Sequence, residues 1–425
     1  MSFLAHVPIL LLLLSSSLAA QPVRLSLQQT QQEALKNSPS LREGEARARE
    51  ARYKVDEAYT LAAPSLNLQS GVSRITPPVE ASFTGRQLIV TPEYSYSNVL
   101  SLRQSLVTFG RLHWSAAASE LAEKANLAEL QDRRLRVLEE AALNYYETLL
   151  SKEQVKIAED QLKARQAHLQ EAKNLVKAGS AAPFDIKRDE AAQANSEQQL
   201  LEAQTRAGLA RLRLFTLLQR PDRGEELEPV EQLPLPPQPD LPTALARRYD
   251  LQASRWGAEA ARARVQLAEV QNNPNLGLQS DYNLRTQTSF VPASQWSVGL
   301  NLQIPLYDGG ISEARASQAR EVVEQLLALS DQAERNAQLE LSSLMLELRN
   351  RYQRLDVTFR NQESAQEAAR IARLRYQNGL STNVELLDSE AALTSAQRDR
   401  VAAHYQYLQT LARYRRAAAE EVATP

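Results

Sequence analysis

Residues 64–70 read Pro-Ser-Leu-Asn-Leu-Gln-Ser, and residues 274–280 read Pro-Asn-Leu-Gly-Leu-Gln-Ser. Five of the seven positions are identical, and apolar and polar side chains alternate in both segments. Alternation with a period of two is typical of a β-strand that has one apolar and one polar face. The same strand motif therefore occurs twice, which predicts a chain built from two copies of one unit.

The duplication continues beyond the strands, because each copy also has a long helical run that ends at a glycine, Gly179 or Gly379. A segment that is dense in proline separates the copies; it excludes a helix and favours an extended linker. The predicted segments are a first structural repeat at 21–228, a Pro-rich linker at 229–242, a second structural repeat at 243–417 and a C-terminal tail at 418–425.

The first twenty residues have the pattern of an export signal. Residues 8–14 are almost entirely leucine and isoleucine, and small residues follow up to Ala19 and Ala20. The alternative is a short membrane anchor, but a run of about 11 apolar residues is too short to span a ~30 Å hydrocarbon core. We therefore predict a signal peptide at 1–20.

Four segments alternate as strands and are long enough to cross an outer membrane, which takes about 9–11 residues per strand. The alternative is an ordinary antiparallel sheet that rests on a helical core. Four strands cannot close a membrane barrel, because the smallest have about eight, so two or three chains would have to share one. The predicted strands lie at about 64–74, 94–109, 274–285 and 295–307.

Two long runs without proline or glycine, 111–178 and 311–378, predict helices of about 100 Å. Leucine and alanine recur in them at intervals of three and four, which is typical of a coiled-coil seam. The alternative, a plain intracellular coiled-coil rod, does not account for the strands or the signal peptide. The shorter helical runs are 28–63, 183–219, 240–272 and 383–416, and the predicted hairpins are 111–219 with a turn at 179–183 and 311–416 with a turn at 379–383.

The composition argues against several classes of function. Lys plus Arg number 49 and Asp plus Glu 51, a balance that gives no electrostatic footprint for nucleic-acid binding. The absence of cysteine excludes thiol catalysis and Cys-ligated metals. We find no motif for catalysis or for a cofactor, and the four histidines are too scattered in sequence to predict a metal site.

These features together resemble the TolC-like outer membrane efflux protein family. The resemblance covers nearly all of the chain after the signal peptide, and its motifs are the helix start at 25–41, the strand-to-helix junction at 306–310 and the helix turn at 375–379. It implies a mainly α protein with a membrane β-barrel portion. Three protomers would share a 12-stranded barrel in the outer membrane lipid and a long periplasmic α-helical coiled-coil barrel. The partners it implies are a periplasmic adaptor protein and an inner membrane transporter.

The resemblance also implies a gate at the helix turns. It places rings of acidic residues at Glu385 and Asp388, and Asp185 is the matching residue of the first repeat. Carboxylates repeated around a narrow pore favour cations. A structural role remains open for two of them, because Glu385 fits a capping box that starts at Thr382, and Asp185 suits the positive end of a helix after Pro183.

Two further positions bear on the closed state. Tyr376 matches a family position that ties helices together when the channel is closed. The family's basic partner of this tyrosine would stand two residues after Gly379, where this chain has Ser381. We therefore expect other contacts to hold the closed state.

The turns themselves are candidate contacts for the adaptor. A turn between antiparallel helices needs a left-handed residue, which glycine supplies. The aromatic residues near strand ends are candidates for a girdle at the membrane surface, although packing on one sheet face is an alternative. The candidate adaptor contacts are Gly179, Pro183, Gly379, Leu380 and Thr382, and the candidate girdle residues are Tyr94, Tyr96, Tyr282 and Trp296.

The sequence therefore predicts a passive exit duct for tripartite efflux or type I secretion, and no enzyme. The alternative is an exported periplasmic adaptor or scaffold with a helical hairpin and no pore. Two complete hairpins and only four strands favour the duct.

Overall fold

The computed structural model describes residues 24–179, 182–288 and 291–420. The predicted signal peptide at 1–20 and the last part of the predicted tail, 421–425, lie outside these residues. The described chain is mainly helical and carries one four-stranded antiparallel sheet and two small two-stranded sheets. The predicted mainly α class with four principal strands per chain is confirmed.

The helices fall into two long ones and several shorter ones. None of the described helices combines the length and the apolar character that a membrane-spanning helix needs. The helices are α1 (Leu27–Asn37), α2 (Pro39–Thr60), α3 (Arg111–Lys177), α4 (Pro183–Leu217), α5 (Leu241–Arg247), α6 (Tyr249–Glu269), α7 (Ile311–Gln377) and α8 (Asn383–Ala417).

Two of the runs expected as single helices are broken at equivalent places. Ser38 ends α1 and caps α2, with Pro39 in the first turn of α2. Arg248 ends α5 and precedes α6 in the same way. Both linking residues have extended ψ angles, 121° and 123°, which no α-helix accommodates. The break is therefore a property of the repeated unit, and proline explains it only in the first copy.

The two long helices of 67 residues each, α3 and α7, organise the helical part. In one half of their length they pack with α2 and α6, and in the other half with α4 and α8. Because α3 contacts both α6 and α8, the two repeats are joined along most of its length. Alanines such as Ala141, Ala172 and Ala261 are almost fully buried at these contacts, so the helices can approach closely.

The principal sheet has the strand order β2-β5-β7-β8, and all its pairs are antiparallel. The strand β8 ends before the predicted boundary at 307; Pro305, which cannot donate to a ladder, lies just beyond its end. The strands are β1 (Arg24–Leu25), β2 (Ser65–Arg74), β3 (Val79–Phe83), β4 (Arg86–Thr91), β5 (Tyr94–Val107), β6 (Glu226–Leu227), β7 (Asn275–Arg285) and β8 (Ser294–Gln303).

One face of this sheet is apolar and exposed. Leu68, Val72 and Trp296 on that face are 70%, 81% and 71% exposed. Every position of β2 and of β8 is exposed, so these strands do not rest on the helices. The alternative of an ordinary sheet lying on a helical core is therefore wrong for these strands. Within the described chain, the outer edges of β2 and β8 pair with no other strand.

The first repeat contains a hairpin that the sequence analysis did not predict. Strands β3 and β4 pair across Thr84 and Gly85, whose φ angles are 50° and 78°. Two consecutive positive φ angles are typical of a tight hairpin turn. The β-branched and apolar residues on both sides of Thr84-Gly85, a glycine-containing turn, are the signal that could have identified it.

The Pro-rich linker contains no helix or strand over 229–240, whereas the last two residues of the predicted range, 241–242, begin α5; the linker also contacts the helices. The Tyr407 hydroxyl of α8 donates to the Pro234 carbonyl at 3.0 Å. The Tyr145 hydroxyl of α3 lies 2.7 Å from the Glu228 carbonyl and 2.9 Å from that of Leu25. These tyrosines belong to the largest apolar core, which lies midway along the helices. The linker and the chain just before it therefore lie against the core, and carbonyls of these segments accept hydrogen bonds from buried tyrosine hydroxyls.

A group of charged residues borders the same core. Glu340 of α7 accepts hydrogen bonds from Arg248, at 2.8 Å, and from Arg416 of α8. Arg248 also donates to Asp250 at 2.7 Å. We call Arg248, Asp250, Glu340 and Arg416 the belt cluster.

We predict that alkaline pH unfolds this core. Burial raises the pKa of Tyr146, Tyr405 and Tyr407 to about 12 from the ordinary value of 10.0. Their contribution to stability is complete below pH 10, where neither state ionises, and is lost as the pH rises towards 12, because only the unfolded chain ionises in that window. The loss should reach about 1.4 kcal/mol per pH unit for each tyrosine.

To test this, the protein is kept in detergent solution and its free energy of unfolding by denaturant is measured at several pH values between 10 and 12. Tyr146→Phe should flatten the curve, and Tyr53→Phe, at an exposed position, should leave it unchanged. Equal slopes in wild type and Tyr146→Phe would contradict the prediction.

Candidate functional site

The ends of the two helical hairpins, α3–α4 and α7–α8, form the candidate site. Gly179 and Gly379 have φ angles of 76° and 70°, as the predicted turns require. The Gly379 amide donates to the Tyr376 carbonyl at 3.0 Å, and the Leu380 amide to the Arg375 carbonyl at 2.8 Å. This pair of bonds is the Schellman motif, which satisfies the last carbonyls of a helix.

The helices after the two turns begin differently. Pro183 occupies the first turn of α4, where its missing N–H costs no hydrogen bond. Thr382 caps α8, and its hydroxyl accepts from the Glu385 amide at 3.3 Å. The Glu385 carboxylate accepts from the Ser381 hydroxyl. The Glu385 carboxylate therefore bonds to Ser381 and not to the backbone N–H of Thr382. The second hydrogen bond of a capping box, from that N–H to Glu385, is not formed.

The three acidic candidates lie near the turns but in different surroundings. Asp388 and Glu385 are exposed on α8, and Asp185 is half-buried in the first turn of α4. Within the described ranges, no group of three or more His, Cys, Asp or Glu residues could hold a metal ion. A ring formed by several chains stays a prediction for these three residues.

Tyr376 is buried, and its ring lies against His168, with the centroids 5.2 Å apart. Burial raises the pKa of Tyr376, and the nearby Asp189 and Asp185 raise it further. Its hydroxyl has no hydrogen-bond partner. The structure therefore brings Tyr376 close to both hairpins without making the hydrogen-bonded tie that the resemblance implies.

The sequence analysis missed the residues that do connect the helices here. Asn383, the first residue of α8, accepts from His168 Nε2 of α3 at 2.8 Å and donates to Asp189 Oδ1 of α4 at 3.0 Å. All three side chains are buried. One amide thus links three helices from both hairpins.

A second connection lies further along α8. The Glu390 carboxylate accepts from Arg165 of α3 at 2.9 Å and from Arg373 of α7 at 2.7 Å. Arg165 also donates to the Leu387 carbonyl at 3.3 Å. Arg165 lies three residues after Leu162 in the predicted seam of α3, so a charge at a seam position was the available signal.

Apolar side chains are exposed at the turns. Phe184 and Leu380 are 70% and 68% exposed, one in each hairpin. Leu380 was among the predicted adaptor contacts, and Phe184 was missed although it follows Pro183. Exposed apolar residues at a projecting end are suited to contact with another protein.

The aromatic candidates lie on the sheet, away from the turns. In the strand register, Tyr282 is opposite Trp296, and Tyr96 is opposite Val72. The Trp296 indole N–H donates to the Ser280 hydroxyl at 2.9 Å. The four candidate residues, Tyr94, Tyr96, Tyr282 and Trp296, all lie on the apolar face of the sheet. Their side chains therefore have the orientation that a girdle requires, and the girdle itself stays a prediction.

Comparisons with known proteins agree on one family. Residues 30–219 and 241–420 match the family described as outer membrane efflux protein. The alkaline protease secretion protein AprF of Pseudomonas aeruginosa is 26% identical over 344 residues, which cover 76% of this chain and 69% of that protein. The pyoverdine export outer membrane protein OpmQ of the same organism is 26% identical over 376 residues, or 86% of this chain and 79% of that protein.

Solved structures share the fold. CusC, studied for transmembrane channel formation, superposes with a TM-score of 0.81 at 19% identity, over 93% of this chain and 92% of that chain. The outer-membrane channel OprN superposes with a TM-score of 0.80 at 24% identity, over 92% of this chain and 89% of that chain.

We predict that Gly379→Ala destabilises the α7–α8 hairpin by about 1–2 kcal/mol, because alanine resists the left-handed conformation. Gly208→Ala is the matched control: this glycine lies inside α4 with open space around its Cα, and alanine should stabilise the helix by up to about 1 kcal/mol. Denaturant unfolding of both variants checks the opposite signs. A neutral effect of Gly379→Ala would contradict the assignment of the turn.

Proposed function

The chain belongs to the outer membrane efflux protein family, and we propose that three copies of it form one passive exit duct. It is an outer membrane efflux channel of the kind used in tripartite efflux and type I secretion, with a periplasmic helical extension. The number of copies, the gate and the docking partners are the parts that we propose.

The four-stranded sheet with an exposed apolar face and two free edges is the observation that supports a barrel shared between chains. In lipid, every backbone N–H and C=O group must find a partner within protein, so a sheet with free edges must be completed. Pairing the β2 edge of one protomer with the β8 edge of the next would do so, and three protomers would give twelve strands. The polar face, with Asn67, Gln69 and Asn301, would then line a water-filled lumen.

The hairpin ends are the proposed docking surface for a periplasmic adaptor protein and, with it, an inner membrane transporter. Phe184 and Leu380 support this proposal, because each hairpin presents one exposed apolar residue beside its turn. The relatives are named for protease secretion and for pyoverdine export, which supports an export role for this chain as well.

The test of the channel is electrical. Protein extracted in detergent should insert into planar lipid bilayers and give discrete conductance steps. Deletion of residues 65–107, which removes β2 and β5 and therefore half of the principal sheet, should abolish them, because the remaining strands could not complete the lipid-facing surface. A soluble monomer in plain buffer that gives no current would favour the pore-free adaptor instead.

We predict that Asp388→Ala weakens block of the channel by multivalent cations added at the side of the helix turns. A ring of carboxylates binds such cations, so the half-blocking concentration should rise several-fold. Asp399→Ala is the control, because Asp399 is also exposed on α8 but lies three turns further from the end. Block unchanged in Asp388→Ala would exclude the ring.

A further inference from the structure

We propose that Arg285 is an anion-binding residue at the outer mouth of the channel, where its copies in the three protomers form one ring of guanidinium groups. This inference rests on the proposed channel function and on the proposed trimer. The ring lies at the end of the sheet that is farthest from the helix turns. Its ligands are anionic groups in the lumen, such as the carboxylates and phosphates of exported molecules.

Arg285 is the last residue of β7 and lies at the end of the principal sheet that is remote from the helices. The strand begins at Asn275, shortly after α6, so its last residue is at the opposite end of the sheet. Because the helices form the periplasmic extension, this opposite end is on the side of the cell exterior. Arg285 is therefore at the exit of the proposed duct.

The side chain of Arg285 belongs to the polar face of the sheet. Side chains alternate between the two faces along a strand, so Arg285 shares its face with Gln279, Asp281 and Asn283 of β7. Its Nη2 atom donates to Gln295 Oε1 of β8 at 2.7 Å, and Gln295 is opposite Asn283 in the register. The polar face lines the lumen of the proposed barrel, so the guanidinium is placed where water and exported molecules pass.

The hydrogen bond that the Arg285 guanidinium makes is to a neutral group. The acceptor is the amide oxygen of Gln295, and the Nε atom of Arg285 is buried without a hydrogen-bond partner. The loop that follows β7, residues 286–293, contains no Asp or Glu. Among the described residues, the positive charge therefore has no carboxylate partner. A guanidinium presents five donors in a planar fork, which suits carboxylate and phosphate groups.

The other charges at this end of the sheet cancel one another. Arg74 donates to Glu93 at 2.7 Å and lies over the ring of Tyr94, with its guanidinium carbon 5.2 Å from the ring centroid. Arg74 and Tyr94 are opposite each other on the apolar face, outside the lumen. The β3–β4 hairpin contributes one glutamate and one arginine. The net charge of this end is therefore the charge of Arg285, repeated in each protomer.

Arg103 of β5 provides a matched comparison on the same face. It is opposite Gln279 in the register, so Asp281 is its diagonal neighbour on β7, at about 7–8 Å between backbones. This carboxylate compensates much of the Arg103 charge. Replacement of either arginine by glutamine removes the same formal charge from the lumen. Replacement of Arg285 removes it from the outer mouth, where no carboxylate compensates it.

A ring of uncompensated charges favours multivalent anions, because such an anion interacts with more than one guanidinium at a time. These interactions are screened beyond about 10 Å at 0.1 M salt and beyond about 3 Å at 1 M salt. Anion binding should therefore be strong at low salt and weak at 1 M. A site on a conduction path must also release its ligand, and water-exposed guanidinium groups permit this. The ring is therefore suited to attract anionic molecules to the exit without retaining them.

The experiment measures block of the channel by inorganic tripolyphosphate in planar bilayers at 0.1 M KCl, with the anion added on the side away from the helix turns. We expect the half-blocking concentration to rise at least about tenfold in Arg285→Gln and to change less than about twofold in Arg103→Gln. Arg285→Lys keeps the charge and should retain most of the block. At 1 M KCl the difference between wild type and Arg285→Gln should disappear.

A second substitution tests the same charge without removing the arginine. Ser97 is directly opposite Arg285 in the register, so Ser97→Asp supplies the missing carboxylate. It should weaken the block as Arg285→Gln does, and both variants should raise the ratio of K⁺ to Cl⁻ permeability at least about twofold. Conductance steps of wild-type size in either variant show that the sheet is assembled, so a folding defect in one does not decide the result.

Three results would overturn the anion site. They are an unchanged half-blocking concentration in Arg285→Gln and Ser97→Asp, an equal weakening in Arg103→Gln, and a loss of block that is the same at 0.1 M and 1 M KCl. Each of them leaves the conductance steps in place, so the channel function stands. Wild-type protein that gives no conductance steps would instead overturn the channel function, and the inference with it.

Discussion

The free edges of the four-stranded sheet are the constraint on which the rest of the structure depends. Each protomer exposes an apolar sheet face and two unpaired strand edges, features that a water-soluble monomer avoids because they promote association. The functional surface is therefore incomplete in one chain. The long helices α3 and α7 follow the strands directly, after Gly110 and Gly310. The way in which neighbouring chains complete the sheet therefore also sets the distance between the long helices of those chains.

The helical part meets two opposing requirements along its length. Midway, tyrosine, leucine and alanine side chains form a large core, and the linker contacts it through a hydrogen bond from the Tyr407 hydroxyl to the Pro234 carbonyl. At the turns, the contact between hairpins is made by Asn383, Glu390 and their partners. Apolar contacts resist separation, whereas polar contacts can exchange with water. The core is therefore suited to stay assembled, and the ends are suited to move.

Much of the fold could be predicted because its signals are periodic and repeated. Alternation identified the principal strands, and long runs without proline or glycine identified α3 and α7. The β3–β4 hairpin escaped because it has no counterpart in the second repeat. The break at Arg248 escaped because helix propensity is continuous across it, whereas Pro39 was an available signal for the break at Ser38. At the candidate site, the turn glycines could be predicted, whereas His168, Asp189 and Asn383 could not. They are far apart in sequence, and none belongs to a motif.

The sequence by itself determined the duplicated unit, the two faces of the strands, the lengths of the two long helices and the positions of the turns, because each depends on residues that are close together in the chain. The tertiary structure alone decided which helices meet and which buried polar groups share hydrogen bonds. Those contacts depend on which face of α8 is turned towards α3. That orientation is fixed by packing along the whole length of the contact between the two helices and not by any one segment. The polar link at Asn383 is visible only once that orientation is known.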